Sequence, residues 1–467
     1  MGTYKLLIGG ELVDGDATMD VVNPATEEVL TSCPRASEAQ LNAAVAAAKA
    51  AFPAWSRRSI AERRALILKI ADALEAAASD FARLLTQEQG KPIAEATGEV
   101  KSTVAFIREF ASFDVPEKII EDSARRRVAL RRVPLGVVGA IIPWNYPLLI
   151  VAFKLPPALL VGNTMVLKPA PTTPLTTLKL GALMANILPR GVVNIITDQN
   201  DLGAKLTAHP DVAKITFTGS SETGKKVMAS AAATIKRLTL ELGGNDAAIV
   251  LPDVETKKVA KGLYDAAFTN AGQICLAVKR VYVHDAIYDD LCAELTRLAE
   301  EAVVGDGLKD GTTMGPLQNK AQYQKVKTFL EDARKTGTVV TGGTIENKPG
   351  YFVRPTIVRD ISDGAKLVDE EQFGPILPLI RFRDENEALA RANASHWGLG
   401  GSVWSSDRNK ARDLAARMEA GTVWINQHLD ISPHFPFCGA KQSGLGVEYA
   451  EEGLNEFTQI HVVNEAK

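Results

Sequence analysis

From Leu135 onward, short apolar runs alternate with stretches of helical periodicity. The first set of runs comprises Val137 to Ile142, Thr164 to Leu167, Val192 to Ile196, Ile215 to Thr218 and Ala247 to Leu251. The second set comprises Arg280 to Val283, Val339 to Thr341, Thr356 to Val358, Ile376 to Phe382, Gly401 to Val403 and Gly421 to Ile425. Continuous apolar runs between helices are typical of buried parallel strands. The pattern therefore predicts two α/β units with a cleft between them, the first a doubly wound sheet that binds ligands beyond its carboxyl strand ends.

The residues before these units predict an edge hairpin and two helices. Leu6 to Ile8 and Glu11 to Val13 flank two glycines, as in a short hairpin. Two capping boxes begin Ala-rich and Leu-rich amphipathic stretches, namely Ser37 with Gln40, running to about Trp55, and Ser59 with Glu62, running to about Leu85. We expect these helices to be structural.

One uncharged run, Val133 to Phe153, has the length of a membrane span, roughly 20 residues. Its prolines and glycines contradict a membrane helix, because they interrupt the run at five positions: Pro134, Gly136, Gly139, Pro143 and Pro147. A buried strand, a Pro-Trp-Asn-Tyr-Pro loop and a helix from Leu148 to Leu160 fit the pattern better. We therefore expect no membrane segment.

Length and charge limit the classes of partner. A chain of 467 residues predicts several packed units, and 46% hydrophobic with 23% charged residues is typical of globular proteins. Lys and Arg number 53 against 56 Asp and Glu, a net charge of -3, which gives no electrostatic reason to expect nucleic acid or an anionic membrane. We expect a small-molecule ligand.

The cysteines suggest free thiols rather than structural bridges. Cys33, Cys275, Cys292 and Cys438 are widely spaced, with no CxxC pair and only six histidines in the chain. We therefore expect neither a disulfide framework nor a metal site. The N-terminal Met-Gly-Thr-Tyr-Lys lacks the apolar core of a secretory signal, so we expect a cytoplasmic setting.

A basic segment precedes the first long strand. Arg125 to Arg127 and Arg131-Arg132 flank the apolar residues Val128 to Leu130. We favour a solvated edge hairpin over a phosphate site, because charged side chains protect the edges of sheets.

Three residues in distinctive surroundings are candidates for chemistry. Cys275 follows Gly272-Gln273-Ile274, a flexible approach that presents a side chain from a loop, although a lone cysteine is also a common core residue. Glu241 lies in an apolar, glycine-rich setting, where desolvation raises the pKa of a carboxylate toward neutrality; a helix cap or an exposed turn charge is the alternative. Asn145, on the rigid Pro-Trp-Asn-Tyr-Pro loop, offers an amide donor. A nucleophilic thiol needs such a base and such donors.

A fourth candidate is the run Phe217-Thr218-Gly219-Ser220-Ser221-Glu222-Thr223-Gly224. It predicts a strand end, a glycine turn and a helix start, which direct backbone N–H groups toward an anion. Because it is not GxGxxG, it is weak evidence for a dinucleotide on its own, and a plain β-to-α turn is an equal alternative.

Taken together, these motifs resemble the aldehyde dehydrogenase superfamily from Asn23-Pro24-Ala25-Thr26 to Phe457-Thr458. The specific marks are Pro143-Trp144-Asn145-Tyr146-Pro147, Leu167-Lys168-Pro169-Ala170, Phe217-Thr218-Gly219-Ser220, Glu241-Leu242-Gly243-Gly244, Gly272-Gln273-Ile274-Cys275 and Glu370-Glu371-Gln372-Phe373-Gly374-Pro375. The resemblance implies a Rossmann-like NAD(P)-binding domain, residues 1–120 and 138–245, and an α/β catalytic domain, residues 246–452. It also implies a small β oligomerisation element, residues 121–137 and 453–467, and a homo-oligomer, either a dimer or a tetramer.

The resemblance also implies roles for single residues. Cys275 would attack the aldehyde, Asn145 and the Cys275 backbone N–H would hold the oxyanion, and Glu241 would activate the water that hydrolyses the thioester. Lys168 and Glu371 match contacts to the cofactor ribose, Trp144 and Ser220 match positions along the pyrophosphate, and Phe373 matches one near the nicotinamide ribose. The complete set of implied cofactor residues is Ile142, Pro143, Trp144, Lys168, Pro171, Gly203, Phe217, Gly219, Ser220, Thr223, Leu242, Gly243, Glu371 and Phe373.

Three positions depart from the family pattern. Pro171 stands where many NAD-preferring members carry a glutamate that repels a 2'-phosphate, so NAD is expected but NADP is possible. Cys438 follows Phe437 where Phe-Gly-Gly is usual, which puts a second thiol near the mouth of the site. Val447 replaces a common arginine before Glu448, which predicts a weaker local ion pair.

Positions that line the aldehyde tunnel in relatives are apolar here: Phe153, Ile274, Leu276, Ile431 and Phe437. Relatives that oxidise succinate semialdehyde tend to carry arginine at the place of Phe153, so a carboxylated aldehyde would lack a partner. His434 is either a polar contact at the tunnel mouth or a surface histidine. We expect hydrolytic, NAD(P)-dependent oxidation of an apolar aliphatic or aromatic aldehyde. A CoA-acylating enzyme and a catalytically silent binding or structural protein remain the alternatives.

Overall fold

The computed structural model describes residues 4–345 and 348–467. Met1 to Thr3, part of the N-terminal segment interpreted above, lie outside the described residues. The helices are α1 Glu38–Ser56, α2 Ile60–Ala76, α3 Ala78–Gln89, α4 Ile93–Ser112, α5 Leu149–Leu160, α6 Leu175–Met184, α7 Gly203–Ala208, α8 Ser221–Ala231, α9 Thr256–Phe268, α10 Tyr288–Glu300, α11 Lys320–Thr336, α12 Lys366–Asp369, α13 Glu385–Asn393, α14 Arg408–Ala416 and α15 Ala450–Asn455. The strands are β1 Leu6–Ile8, β2 Glu11–Val13, β3 Ala17–Val22, β4 Val29–Arg35, β5 Lys118–Asp122, β6 Arg126–Pro134, β7 Val137–Ile141, β8 Thr164–Lys168, β9 Val193–Ile195, β10 Val212–Thr218, β11 Arg237–Glu241, β12 Ala247–Val250, β13 Arg280–His284, β14 Thr338–Thr341, β15 Thr356–Arg359, β16 Ile376–Phe382, β17 Trp397–Gly398, β18 Gly400–Trp404, β19 Thr422–Ile425, β20 Ala440–Lys441, β21 Gly444–Leu445 and β22 Thr458–Ala466.

The first large sheet has eight strands in the order β2-β1-β9-β8-β7-β10-β11-β21. The five central strands, β9-β8-β7-β10-β11, are parallel, and antiparallel strands lie at both edges. The predicted N-terminal hairpin is confirmed: β1 and β2 pair and form one of these edges. At the other edge, β21 brings a late part of the chain back to β11, so the loop that carries Glu448 reaches the first sheet.

The second large sheet has seven strands in the order β14-β15-β16-β13-β12-β18-β19. Each sheet has its own buried apolar core. The placement of Ala247 to Leu251 with the first set of strands is wrong, because β12 pairs with β13 and β18 at the middle of the second sheet. Strand β11 was not predicted, because its residues Arg-Leu-Thr-Leu-Glu alternate between polar and apolar instead of forming a continuous apolar run.

Both predicted capping boxes are present at the starts of α1 and α2. The stretch predicted to run to Leu85 is instead two helices, which break at Ala77. Near the end of α3, the carboxylate of Glu88 accepts hydrogen bonds from the backbone N–H groups of Leu175 and Thr176 at the start of α6. No proline or glycine lies between Ile60 and Gln89, so the local sequence does not mark the break.

A separate three-stranded sheet, β22-β6-β5, contains the basic segment. The predicted hairpin is present, since β5 and β6 pair antiparallel and Glu117 forms ion pairs with Arg127 and Arg131. Its edge position is wrong for the basic strand, because β22 pairs with the other side of β6 and makes β6 the central strand. The run from Val133 to Phe153 folds as β7, a loop and α5. Across residues 4–345 and 348–467, no helix is both long enough and apolar enough to cross a membrane.

Candidate active site

Cys275 lies in a loop whose backbone is tightly constrained. The preceding turn, Thr269–Gly272, holds Asn270 and Ala271 at φ values of 52° and 54°, and Gly272 at 72°. A side chain at Gly272 would approach the carbonyl oxygen of Gly374 to 2.5 Å, so only glycine fits. The buried side chain of Gln273 accepts a hydrogen bond of 2.9 Å from the backbone N–H of Gln318. The half-buried thiol is thus presented from a rigid loop.

Asn145 lies on the loop between β7 and α5 and is buried. Its side-chain Nδ2 donates to the carbonyl of Gln273 at 3.0 Å. An amide nitrogen carries two hydrogens, so one N–H remains for a ligand. The backbone carbonyl of Asn145 accepts hydrogen bonds from Lys91 Nζ and from Asn270 Nδ2, both at 3.0 Å.

Glu241 ends strand β11 and is buried, so it is neither a helix cap nor an exposed turn charge. Neither of its carboxylate oxygens has a hydrogen-bond partner among the described residues. Burial raises the pKa of Glu241 well above its usual range, the negative charge of Glu448 adds to the effect, and Lys154 opposes it. Such a carboxyl group is suited to proton transfer near neutral pH.

Burial is also the main influence on the pKa of the Cys275 thiol. It raises the pKa of Cys275 to about 12; Asp246, Glu241 and Glu371 also raise it, whereas Lys279 lowers it. A thiolate at this position therefore depends on nearby positive charge or on a base that removes the proton.

Cys275, Asn145 and Thr218 line two cavities, which meet at these residues. The first cavity, of about 280 Å³, contains all five residues expected in the tunnel, Phe153, Ile274, Leu276, Ile431 and Phe437. Sequence reasoning missed its other walls, namely Tyr146, Leu149, Ile150, Thr218, Thr269, Leu429, Glu448 and Tyr449. Tyr146 belongs to the Pro-Trp-Asn-Tyr-Pro loop, and Leu149 and Ile150 begin the helix after it, so this motif could have indicated these three residues.

Aromatic rings form one wall of this first cavity. Tyr449 stacks on Phe437 at 5.4 Å between ring centroids and meets the edge of Phe153 at 4.7 Å. Glu448, beside it, forms a buried ion pair of 2.5 Å with Lys154. This pair is formed without an arginine at Val447, and nothing in the structure explains that valine.

The second cavity, of about 180 Å³, is more polar and opens beside the first. The cofactor candidates that line it are Pro143, Trp144, Gly219, Ser220, Leu242, Gly243, Glu371 and Phe373. The candidates that do not line it are Ile142, Lys168, Pro171, Gly203, Phe217 and Thr223. Sequence reasoning missed Gln322 and Lys325, which come from α11 and have no motif of their own.

Two glycine-lined surfaces shape this second cavity. A side chain at Gly219 would approach the ring of Phe217 to 2.5 Å, and Ser220 caps the N-terminus of α8 directly after it. After the neighbouring parallel strand β11, a side chain at Gly243 would approach a carboxylate oxygen of Glu371 to 2.6 Å. A side chain at either glycine would therefore crowd Phe217 or Glu371, and the N-terminus of α8 favours an anion.

Lys168, Gly203 and Pro171 lie apart from the lining of this cavity. Lys168 forms a buried ion pair of 2.6 Å with Asp198, whose other oxygen accepts from the backbone N–H of Leu202. A side chain at Gly203 would lie 3.6 Å from Lys168, so the two residues are neighbours. Pro171 follows β8 in the next loop and is half-buried.

His434 and Cys438, the two residues expected near the mouth of the site, differ in exposure. His434 is exposed and pairs with Glu109 at 3.3 Å, and it does not line the first cavity, so its contacts match the surface interpretation. Cys438 is half-buried, and burial followed by the negative charge of Glu241 raises the pKa of its thiol.

Comparison with known proteins agrees with this architecture. The sequence profile of the aldehyde dehydrogenase family matches residues 12–463. The phenylacetaldehyde dehydrogenase of Pseudomonas fluorescens is 39% identical, with 97% of this chain and 94% of that protein covered. The structure of an NAD+ complex of aldehyde dehydrogenase from Bacillus cereus superposes with a TM-score of 0.97 at 37% identity, covering 100% and 97% of the two chains. An E. coli structure described as an NADP dependent enzyme gives 0.97 and 37%, covering 100% and 98%.

Fold and site together define an oxidoreductase that acts on aldehydes. The chain belongs to the aldehyde dehydrogenase family. This confirms the family and the fold class predicted from the motifs. An NAD(P) cofactor is consistent with the family match and with both kinds of structural neighbour.

Proposed function

We propose that this protein oxidises a medium-sized apolar aliphatic or aromatic aldehyde to its carboxylic acid, with NAD(P) as oxidant and water as the final acyl acceptor. The observation that carries the proposal is the meeting of two cavities at Cys275, one almost entirely apolar and one with a more polar lining. An aldehyde and a cofactor that entered from these two sides would come together at the thiol.

In the first step, Sγ of Cys275 attacks the aldehyde carbon and forms a thiohemiacetal. The negative charge on oxygen then needs donors, for which we propose the free N–H of Asn145 and the backbone N–H of Cys275. This role for Asn145 is supported by its burial and by its position between the two cavities.

The residues along the polar cavity fit a dinucleotide. Gly219 and Ser220 at the start of α8, with Trp144, suit a pyrophosphate. Phe373, whose ring contacts that of Trp144 edge to face at 5.4 Å between centroids, would lie near the nicotinamide ribose. When bound, NAD(P) supplies the acceptor for the hydride that leaves the former aldehyde carbon. Loss of that hydride converts the adduct on Cys275 to a thioester.

Glu241 is proposed to deprotonate the water that hydrolyses this thioester. Its two oxygens have no partner among the described residues, and it lines the same cavity as Cys275. A carboxylate with a raised pKa is a stronger base than an exposed one once it has lost its proton. The acid product leaves, and the sulfur of Cys275 recovers a proton.

The substrate class follows from the lining of the first cavity. Its walls are dominated by aliphatic and aromatic side chains, and no Arg or Lys of the described chain lines it. A carboxylated aldehyde would therefore bury its charge beside Glu241 and Glu448, which is costly without a cation. An apolar aldehyde pays no such penalty.

Two alternatives remain distinguishable. A CoA-acylating enzyme would pass the acyl group to a thiol, and such relatives commonly lack the glutamate that Glu241 represents here. A catalytically silent member would have no need to combine Cys275, Glu241 and Asn145 around one cavity junction. Both alternatives are therefore disfavoured by the retained residues.

The division into domains and the oligomer are also proposals. Residues 1–120 with 138–245 and residues 246–452 would form the cofactor-binding and catalytic domains, and 121–137 with 453–467 an oligomerisation element. The β22-β6-β5 sheet supports the last of these, because it exposes the apolar residues Ile119, Ile120, Ile460, Val462 and Val463. We propose a homo-oligomer and a cytoplasmic setting, the latter because the described cysteines are all free.

The proposal is tested by the absorbance of reduced nicotinamide. Purified protein would be mixed with apolar, aromatic and carboxylated aldehydes, with NAD or NADP, and with or without CoA. We expect turnover of apolar aldehydes without CoA, and none in Cys275→Ala, whereas Cys438→Ala remains active. Turnover only with CoA would identify an acylating enzyme, and turnover by Cys275→Ala would remove the proposed nucleophile.

A further inference from the structure

Three consecutive carbonyls of the cysteine loop are each held by a buried side chain. Lys279 Nζ donates to the carbonyls of Ile274 at 2.9 Å and Cys275 at 2.7 Å. His428 Nε2 lies 2.8 Å from the carbonyl of Leu276, so this nitrogen must carry the hydrogen. The Lys279 side chain is 1% exposed. The backbone around the thiol is therefore oriented by Lys279, at the end of the same loop, and by His428, from a distant part of the chain.

Holding a carbonyl also fixes the next N–H group. The carbonyl of Ile274 and the N–H of Cys275 belong to one peptide unit, and every described peptide bond is trans. In a planar trans unit the two groups point in opposite directions. Lys279 therefore sets the direction of the Cys275 N–H, which has no acceptor among the described residues.

Lys279 also approaches the cofactor side of the junction. Its Nζ lies 3.8 Å from Oε1 of Glu371, an oxygen that accepts the backbone N–H of Gly244. Its positive charge opposes the burial and the acidic neighbours Asp246, Glu241 and Glu371 that raise the pKa of the Cys275 thiol. One ammonium group thus bears on both the backbone donor and the sulfur.

We propose that Lys279 is a positioning residue that aims the Cys275 N–H at the developing oxyanion and supports the thiolate. The inference rests on the roles proposed above for Cys275. It assigns to Lys279 an effect on the transition state rather than on aldehyde binding, because the oxyanion exists only after the sulfur has attacked.

Three substitutions separate the two effects of Lys279. Lys279→Met removes donor and charge, Lys279→Gln retains a donor without charge, and Lys279→Arg retains both. We expect kcat of the Met variant to fall at least about tenfold with little change in KM for the aldehyde, though by less than the roughly 10²- to 10³-fold typical of losing an oxyanion donor outright. The Gln variant should recover part of kcat, and Arg most of it.

The pH dependence of Cys275 alkylation by iodoacetamide provides the second measurement. We expect the alkylation profile to move to higher pH in both Met and Gln variants and to stay near wild type in Arg. The matched control is Lys214→Met, which removes another fully buried lysine, one that donates to Thr239 Oγ1. It should lower Tm but leave kcat and the alkylation profile unchanged.

The outcomes distinguish this inference from the proposed function. Activity in Cys275→Ala would overturn the nucleophile itself, whatever Lys279 does. If Cys275→Ala is inactive but Lys279→Met keeps kcat within about twofold and the same alkylation profile, the positioning role is wrong. If all three Lys279 variants lost Tm and kcat to the same extent as one another, the role of Lys279 would be structural only. If the Met variant does not fold, the Gln and Arg variants provide the test.

Discussion

The side-chain amide of Asn145 donates a 3.0 Å hydrogen bond to the carbonyl of Gln273. Asn145 follows a strand of the eight-stranded sheet, and Gln273 belongs to the loop before the second sheet's β13. This contact therefore joins the two halves of the molecule two residues before Cys275. It also uses only one hydrogen of the amide, which leaves the other for a ligand.

Asn145→Ala is expected to lower kcat by about 10²- to 10³-fold, because a donor to the oxyanion acts mainly in the transition state. KM for the aldehyde should change little. Steady-state kinetics measure both. Asn270→Ala is the matched control, since Asn270 Nδ2 donates to the carbonyls of Asn145 and Gln273 without lining either cavity. An equal loss in both variants would indicate that the loop contact matters and the donor does not.

Glu241→Gln is expected to separate the two halves of the reaction. An amide cannot remove a proton from water, so the thioester should form once and then hydrolyse slowly. Stopped-flow absorbance should show a burst of reduced cofactor close to one per active site, followed by a steady rate at least about 10²-fold below wild type. Cys275→Ala should show no burst. Loss of the burst in Glu241→Gln would mean that the glutamate acts before hydride transfer.

Local sequence signals were sufficient for most of the fold. Apolar runs located most of the parallel strands, and the side-chain pattern of Ser37 with Gln40 located the start of α1. They failed where long-range packing decides. Strand β11 alternates between polar and apolar residues, and its pairing with β10 and β21 places it in the sheet. The break at Ala77 coincides with no proline or glycine that the sequence could have signalled.

The site was predictable as far as its motifs extend. Cys275, Asn145 and Glu241 lie in distinctive stretches, and the structure brings all three to one cavity. Lys325 and Tyr449 belong to no such motif, and their positions depend on how α11 and the last loop pack. Lys168 shows the reverse: its motif is recognisable, but its ammonium pairs with Asp198 apart from the polar cavity.

Pro171→Glu is expected to shift cofactor preference toward NAD. A carboxylate at this position would repel a 2'-phosphate, and each 1.4 kcal/mol of repulsion corresponds to about tenfold in affinity. We therefore expect kcat/KM for NADP to fall at least about tenfold more than that for NAD. Pro171→Gln has nearly the same shape without charge and should leave the ratio nearer to wild type. An unchanged ratio in Pro171→Glu would show that this loop does not contact the adenosine ribose.

The buried carboxyl of Glu88 predicts a pH dependence of stability. Burial raises its pKa from 4.5 to about 7, although hydrogen bonds from Thr176 and Leu175 oppose the shift. A carboxyl whose pKa is higher in the folded than in the unfolded state stabilises the fold fully below pH 4.5 and loses that contribution as pH rises through about 7. Between pH 5 and 8 this group should therefore cost the wild type about 2 to 3 kcal/mol of unfolding free energy.

Glu88→Gln removes the titrating carboxyl group, so the variant should lose less unfolding free energy than the wild type between pH 5 and pH 8. Urea unfolding of wild type and variant at pH 5 and at pH 8 measures the difference at each pH. The variant should be less stable than wild type at pH 5 and should approach or exceed it at pH 8. Glu121→Gln, at a half-buried residue paired with Arg126, is the control and should retain the wild-type loss. A wild-type-minus-Glu88→Gln difference that is the same at both pH values would show that Glu88 is ionised in the folded protein throughout this range.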